Sequence, residues 1–200
     1  MRLYVHTHLL RKIRYATSVI LEIVVPLAPN FAITTMKQTT LCYLEHGSQY
    51  LMLHRTKKKN DLNHDKWIGV GGKFEEGESP EDCMLREVWE ETGFTVTQWR
   101  YCVIVTFIHN IYEDEHMHLF VCTDWTGEQI ECNEGDLEWI DKSHLLELPA
   151  WEGDKIFLKL IAEPRPFFSL KLTYEYDTLK SAVLDGKDKI VTTEPLQTDN

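Results

Sequence analysis

An α/β domain is what this chain predicts, and three observations predict it. Strand-like apolar runs recur between residues 39 and 55 and again between 94 and 140. Residues 79–93 carry both a helix start and a helix stop, and residues 153–162 show the apolar spacing of a helix packed on a sheet. With 200 residues, 43% hydrophobic and 26% charged, the chain has material for one core and one domain.

The formal charge of −11 works against a polyanionic partner, because affinity for nucleic acid polymers comes from Lys and Arg displacing condensed counterions. It suits an enzyme that recruits divalent cations and meets phosphate as a metal complex. The cysteines Cys42, Cys83, Cys102, Cys122 and Cys132 are odd in number and lack the close pairing of a zinc or redox site. They read as reduced thiols packed as small hydrophobes, which implies a cytoplasmic location.

Residues 1–35 carry Arg2, Arg11, Lys12 and Arg14 against Glu22, a net +3 that leaves −14 for residues 36–200. The apolar run from Ala16 to Val25 is interrupted by Glu22, ends at Pro26, has no cleavage site after it and is too short to span a bilayer. Residues 1–35 are therefore read as an extension, and the domain as 36–184. Thr39 to Glu45 and Gln49 to Arg55 form a hairpin about His46-Gly47-Ser48. Lys57, Lys58 and Lys59 could steer a triphosphate, but a lysine run in a loop is usually solvated, so they receive no role. A polar loop follows, and Trp67 to Phe74 holds Gly69, Gly71 and Gly72 among apolar residues, as a loop approaching a ligand does.

Phe94 to Ile108, His116 to Asp124 and Leu137 to Ile140 read as strands. Ile156, Phe157, Leu160 and Ile161 recur at helical spacing, and Phe167 to Tyr176 reads as a closing strand. From Asp185 to the end the chain is polar and aperiodic, so residues 185–200 are expected to be a mobile tail. The histidines, including His54, His64, His116 and His118, make no metal-binding pattern.

The chemistry concentrates between Gly72 and Phe94. Ser79 suits the N-cap, Pro80 the first helical position, Glu81 and Asp82 the positive end of the helix dipole, and Gly93 the stop. At about 100° per residue, Leu85, Val88, Trp89 and Thr92 share one side, while Glu87, Glu90 and Glu91 share an arc on the other. Carboxylates so close repel unless a cation intervenes, and hard oxygen ligands suit magnesium or manganese. An ordinary solvated acidic face is the plain alternative. Arg86 tips the balance: it is placed to grip Glu78 bidentately and lock the loop onto the helix.

This stretch resembles the Nudix box of MutT-like Nudix hydrolases, the branch that includes 8-oxo-dGTP diphosphatases. Its glycine, glutamate, Arg-Glu pair, Glu-Glu pair and last glycine are all in place, a coincidence expected about once in 10⁸ starting points. The resemblance implies an α/β/α sandwich with a mixed sheet and a loop-helix-loop catalytic motif. It implies magnesium, or manganese in its place, held by Glu87, Glu90, Glu91 and the Gly72 carbonyl. Arg86, Glu87 and Glu90 become the catalytic group, with Glu87 taking a proton from the attacking water, and Glu78 and Gly93 support the box. Glu134 is the candidate for a further acidic ligand from a downstream loop, ahead of Glu131.

Trp151 and Asp154 resemble the tryptophan and acid that oxidised-purine diphosphatases of the family set against a base; a core tryptophan and a helix N-terminal acid are the bland counterparts. Trp67 joins them as a substrate-binding residue. Ile68 follows it where related purine readers have asparagine, so one polar base contact is missing. The function implied is hydrolysis of a nucleoside triphosphate, 8-oxo-dGTP being one case, to monophosphate and pyrophosphate, in nucleotide-pool sanitation and so DNA repair. A second reading keeps the chemistry with ADP-ribose or a nucleotide sugar. A third, a sensor that binds nucleotide without cleaving it, conflicts with the intact carboxylates and the lack of an effector domain. No nucleic acid polymer or membrane is expected as a partner, and the oligomeric state is open.

Overall fold

The computed structural model describes residues 36–58 and 61–192, with backbone only for the last two; the extension read over residues 1–35 lies outside them. β1 (Lys37–His46) and β2 (Gln49–His54) form the expected hairpin, turning at Gly47. β3 (Trp67–Ile68) leads into α1 (Pro80–Thr92), and β4 (Thr95–His109) and β5 (Glu115–Thr126) follow as long antiparallel strands. β6 (Asp136–Asp141), α2 (Glu152–Ala162), β7 (Phe168–Glu175), β8 (Thr178–Leu184) and β9 (Asp188–Thr192) complete the described chain.

The sheet is mixed. β1 runs parallel to β5 and β4 parallel to β7, and the other pairings are antiparallel, in the order β3-β2-β1-β5-β4-β7-β8-β9 with β6 along β2. Side chains alternate across it, as a pleated strand requires. Cys42 and Leu44 of β1 pack with Met84 and Val88 of α1 on one face. Tyr43 packs with Phe157, Leu158 and Ile161 of α2 on the other. Both faces are thus covered by helix, giving the expected α/β/α sandwich. Phe157 is fully buried, and such a ring contributes about 3 kcal/mol to the core.

Two differences from the sequence reading have local causes. Residues 188–192, read as part of a mobile tail, pair with β8 as an edge strand, because the Asp185-Gly186 turn, both residues at positive φ, folds the chain back. Trp89, placed on the apolar side of α1, is 59% exposed, while Glu91 is 7% exposed. The buried stripe runs through Met84, Val88, Glu91 and Thr92 instead, turned toward the hydrogen bond that the Gly71 N–H gives Glu91 Oε2 at 3.1 Å. All five cysteines are buried free thiols. Among the described residues, no helix is long and apolar enough to cross a membrane.

Candidate active site

Local chemistry builds α1 as its sequence predicts. The Ser79 Oγ accepts the Asp82 N–H at 3.1 Å and the Asp82 carboxylate accepts the Ser79 N–H at 3.1 Å, a reciprocal cap. Gly93, at φ 77°, ends the helix and donates its N–H to the Trp89 carbonyl. Arg86 grips Glu78 with two hydrogen bonds, Nε to Oε1 at 2.7 Å and Nη2 to Oε2 at 2.9 Å. It also donates to the Lys73 carbonyl at 3.0 Å and to Glu87 Oε1 at 2.8 Å. The guanidinium, with the Glu75 N–H, holds the Glu78 carboxyl down to about 2 against a modest burial effect. The loop before the helix is therefore tied to the helix by one arginine.

The glycine loop runs beside β1, with the Thr40 N–H donating to the Gly72 carbonyl at 2.8 Å and the Cys42 N–H to the Val70 carbonyl at 2.7 Å. This brings Gly72 against Glu87: a Cβ on Gly72 would lie 2.3 Å from Glu87 Oε1. Burial, with the negative charges of Glu90 and Glu134, raises the Glu87 carboxyl against the pull of Arg86. Glu91 is driven up to about 8 by burial and then by the charge of Glu134, despite the Gly71 N–H. Glu90 is half exposed and reaches Arg86 at 3.2 Å.

Glu134 lines the same cavity as Glu87, but its carboxylate is taken up by Arg55 and Lys58. Burial would raise this carboxyl; Lys58 and Arg55 outweigh it and hold it below its ordinary value. Arg55 also binds Asp61. Arg55 and Asp61 escaped the sequence reading, where no local signal marks them, and Lys58, read there as part of a solvated lysine run without a role, lines the cavity. Glu131 is exposed and paired with Lys57.

The cavity, about 480 Å³, extends from Gly72, Glu87 and Glu134 to Trp151 and Asp154. Trp151 is buried, donates Nε1–H to Asn63 Oδ1 at 2.8 Å, and has the Lys66 ammonium 4.6 Å above its ring. Burial pushes the Asp154 carboxyl up to about 7 against the attraction of Lys66. Trp67 is not brought to the cavity wall: its ring stacks on His54 at 4.5 Å, and Ile68 lines the wall instead.

Among the described residues, no three acidic, histidine or cysteine side chains converge tightly enough to hold a metal ion as they stand. The carboxylates of Glu87 and Glu90 meet Arg86, those of Glu134 meet Arg55 and Lys58, and Glu91 meets the Gly71 amide. The donor set nevertheless fits a hard divalent cation. Glu91 is buried among like charges that raise it, a cost a cation would offset.

The NUDIX domain family matches residues 36–161. The uncharacterized Nudix hydrolase YvcI of Bacillus subtilis is 30% identical over 146 residues, 70% of this chain and 89% of its own. The oxidized purine nucleoside triphosphate hydrolase of Danio rerio is 29% identical over 64% of this chain and 83% of its own. The crystal structure of the mutator MutT protein from Bacillus halodurans, 31% identical, superposes with a TM-score of 0.66, covering 76% of this chain and all of that one.

Proposed function

This chain belongs to the Nudix family and is a Nudix hydrolase, and from that premise we propose that it hydrolyses a nucleoside triphosphate, 8-oxo-dGTP first among those to test, to the monophosphate and pyrophosphate. The observation that carries this reading is one continuous cavity with Glu87 and Glu134 in its wall at one part and Trp151 and Asp154 at another. Its volume, about 480 Å³, suits a small nucleotide. The likeness to an oxidized purine nucleoside triphosphate hydrolase supports the same reading.

Magnesium, or manganese, would be held by Glu87, Glu90, Glu91, Glu134 and the Gly72 carbonyl, and supplies charge neutralisation at the phosphates when bound. Arg86 holds Oε1 of Glu87, so Oε2 is the atom that takes the proton of the attacking water. The water oxygen forms its bond to phosphorus as the bond to the pyrophosphate oxygen breaks. Arg55, Lys58 and Lys73, in the same wall, attract the phosphates. Trp151 stacks on the base, and Asp154 meets its polar edge.

Ile68 in the cavity wall favours a second reading, in which the substrate is ADP-ribose or a nucleotide sugar, because the position offers no polar contact to a purine. Both are tested by product analysis on 8-oxo-dGTP, ordinary nucleoside triphosphates, ADP-ribose and nucleotide sugars, with magnesium and with EDTA. Magnesium-dependent pyrophosphate release from a triphosphate is expected. Cleavage of ADP-ribose or a nucleotide sugar alone would establish the second reading, and binding without cleavage of any compound would make the protein a sensor.

A further inference from the structure

Three residues that line the cavity stand side by side across the sheet: Phe107 on β4 opposite Glu115 on β5, and Glu115 opposite Lys37 on β1. Lys37 Nζ donates to Glu115 Oε2 at 2.5 Å and Thr39 Oγ1 to Glu115 Oε1 at 2.5 Å. Each carboxylate oxygen accepts two hydrogen bonds, so one acceptor position remains on each, a pair side by side. The Glu115 side chain is only 15% exposed. An ion pair that merely decorates a surface gains little, and one withdrawn from water into a cavity wall costs desolvation, which a ligand would offset. The Phe107 and Trp151 rings meet edge to face with their centroids 6.4 Å apart, so this carboxylate adjoins the aromatic wall assigned to the base.

We propose that Glu115 is a specificity-determining residue whose carboxylate, oriented by Lys37 and Thr39, accepts two adjacent N–H donors from the Watson–Crick edge of a guanine-type base. Those donors are N1–H and the 2-amino group; adenine has no such adjacent pair on that edge. The inference rests on the nucleotide reading above and deepens it by naming the base. Adjacent donors also occur in the 2′,3′-diol of ribose, so the test separates the two.

The full-length chain in EDTA is titrated calorimetrically with GMP, IMP, dGMP and AMP, for wild type, Glu115→Gln and Glu115→Asp, with thermal unfolding confirming the fold of each. IMP lacks only the 2-amino group of GMP. Wild type should bind GMP and dGMP about equally and both at least about tenfold tighter than IMP or AMP, because an unpaired buried acceptor is penalised. In whichever variant folds, the GMP-to-IMP ratio should fall toward one, since Gln removes an acceptor and Asp shortens the reach. A ratio near one in wild type, or a ratio unchanged in a folded variant, overturns the inference and leaves the nucleotide reading standing. A preference that follows the 2′-hydroxyl overturns it in favour of the sugar. Failure of wild type to bind any of the four overturns this inference, while the nucleotide reading is decided separately by the product analysis above.

Discussion

Gly72 has no room for a side chain because the Glu87 carboxylate lies where its Cβ would be, with Oε1 2.3 Å from that point. Gly72→Ala should therefore displace Glu87 without uprooting the fold. Turnover is expected to drop at least about tenfold, as a misplacement of about 1 Å suffices for such losses. The check is the rate constant at saturating substrate together with an unfolding curve. A variant as active as wild type would detach Glu87 from the chemistry.

Glu78 is tied to Arg86 and its carboxyl sits near 2, against an ordinary 4.5. A depressed pKa stabilises the folded state above the ordinary value and loses that contribution as pH falls from 4.5 toward 2. Glu78→Gln should cost about 1–2 kcal/mol at neutral pH, a figure already reduced for solvent screening. Its deficit should shrink in urea unfolding at about pH 3. A deficit independent of pH would mean that the ion pair is not its source.

Glu91, raised to about 8, makes the opposite pH prediction in the metal-free protein. The folded carboxyl holds its proton where the unfolded one has lost it, so wild type loses stability as pH rises from 4.5 to about 8. Glu91→Gln removes that slope. Relative to wild type it should be more stable at about pH 8 than at about pH 5, while its turnover with magnesium falls at least about 100-fold. Glu90→Gln should lose turnover as well. Thermal unfolding in EDTA and steady-state rates read both, and full activity in both variants would remove these residues from the metal site.

For Trp151, stacking predicts a loss of affinity. Trp151→Ala should raise the Michaelis constant more than it lowers the rate constant, by about tenfold or more for loss of a stacked ring. The ring is buried, so a stability loss of about 3 kcal/mol accompanies it. Trp151→Phe keeps an aromatic face but loses the hydrogen bond to Asn63 and should fall between the two. An unchanged Michaelis constant in both would leave Trp151 with packing alone.

What the sequence made legible was what local spacing determines. The start, stop and acidic arc of α1 depend on residues within a few positions of one another, and Arg86 finds Glu78 only eight positions away. Glu134 is a candidate through the family resemblance and its place in a loop, but its partners Arg55 and Lys58 lie 79 and 76 positions distant, where no pattern connects them. Lys58 lines the cavity, whereas nothing in a lysine run tells the member that faces a site from those that are simply solvated. Trp67 shows the converse: a tryptophan beside the glycine loop looked available to a ligand, yet His54, its partner across β2 and β3, takes its face. The rotation of α1 that buries Glu91 and exposes Trp89 was hidden because apolar spacing predicts the greasiest orientation, and here a buried amide draws a carboxylate inward.

The two helices lie against opposite faces of one sheet, α1 bearing the box carboxylates and α2 beginning at Trp151 and Asp154. They share a cavity but no side-chain cluster, so each answers to different pressures. On the proposed reading, changes near the start of α2 would alter what the protein consumes without disturbing how it cuts. Such a layout lets descendants of one ancestor acquire new diets by small steps, with the cutting apparatus inherited whole.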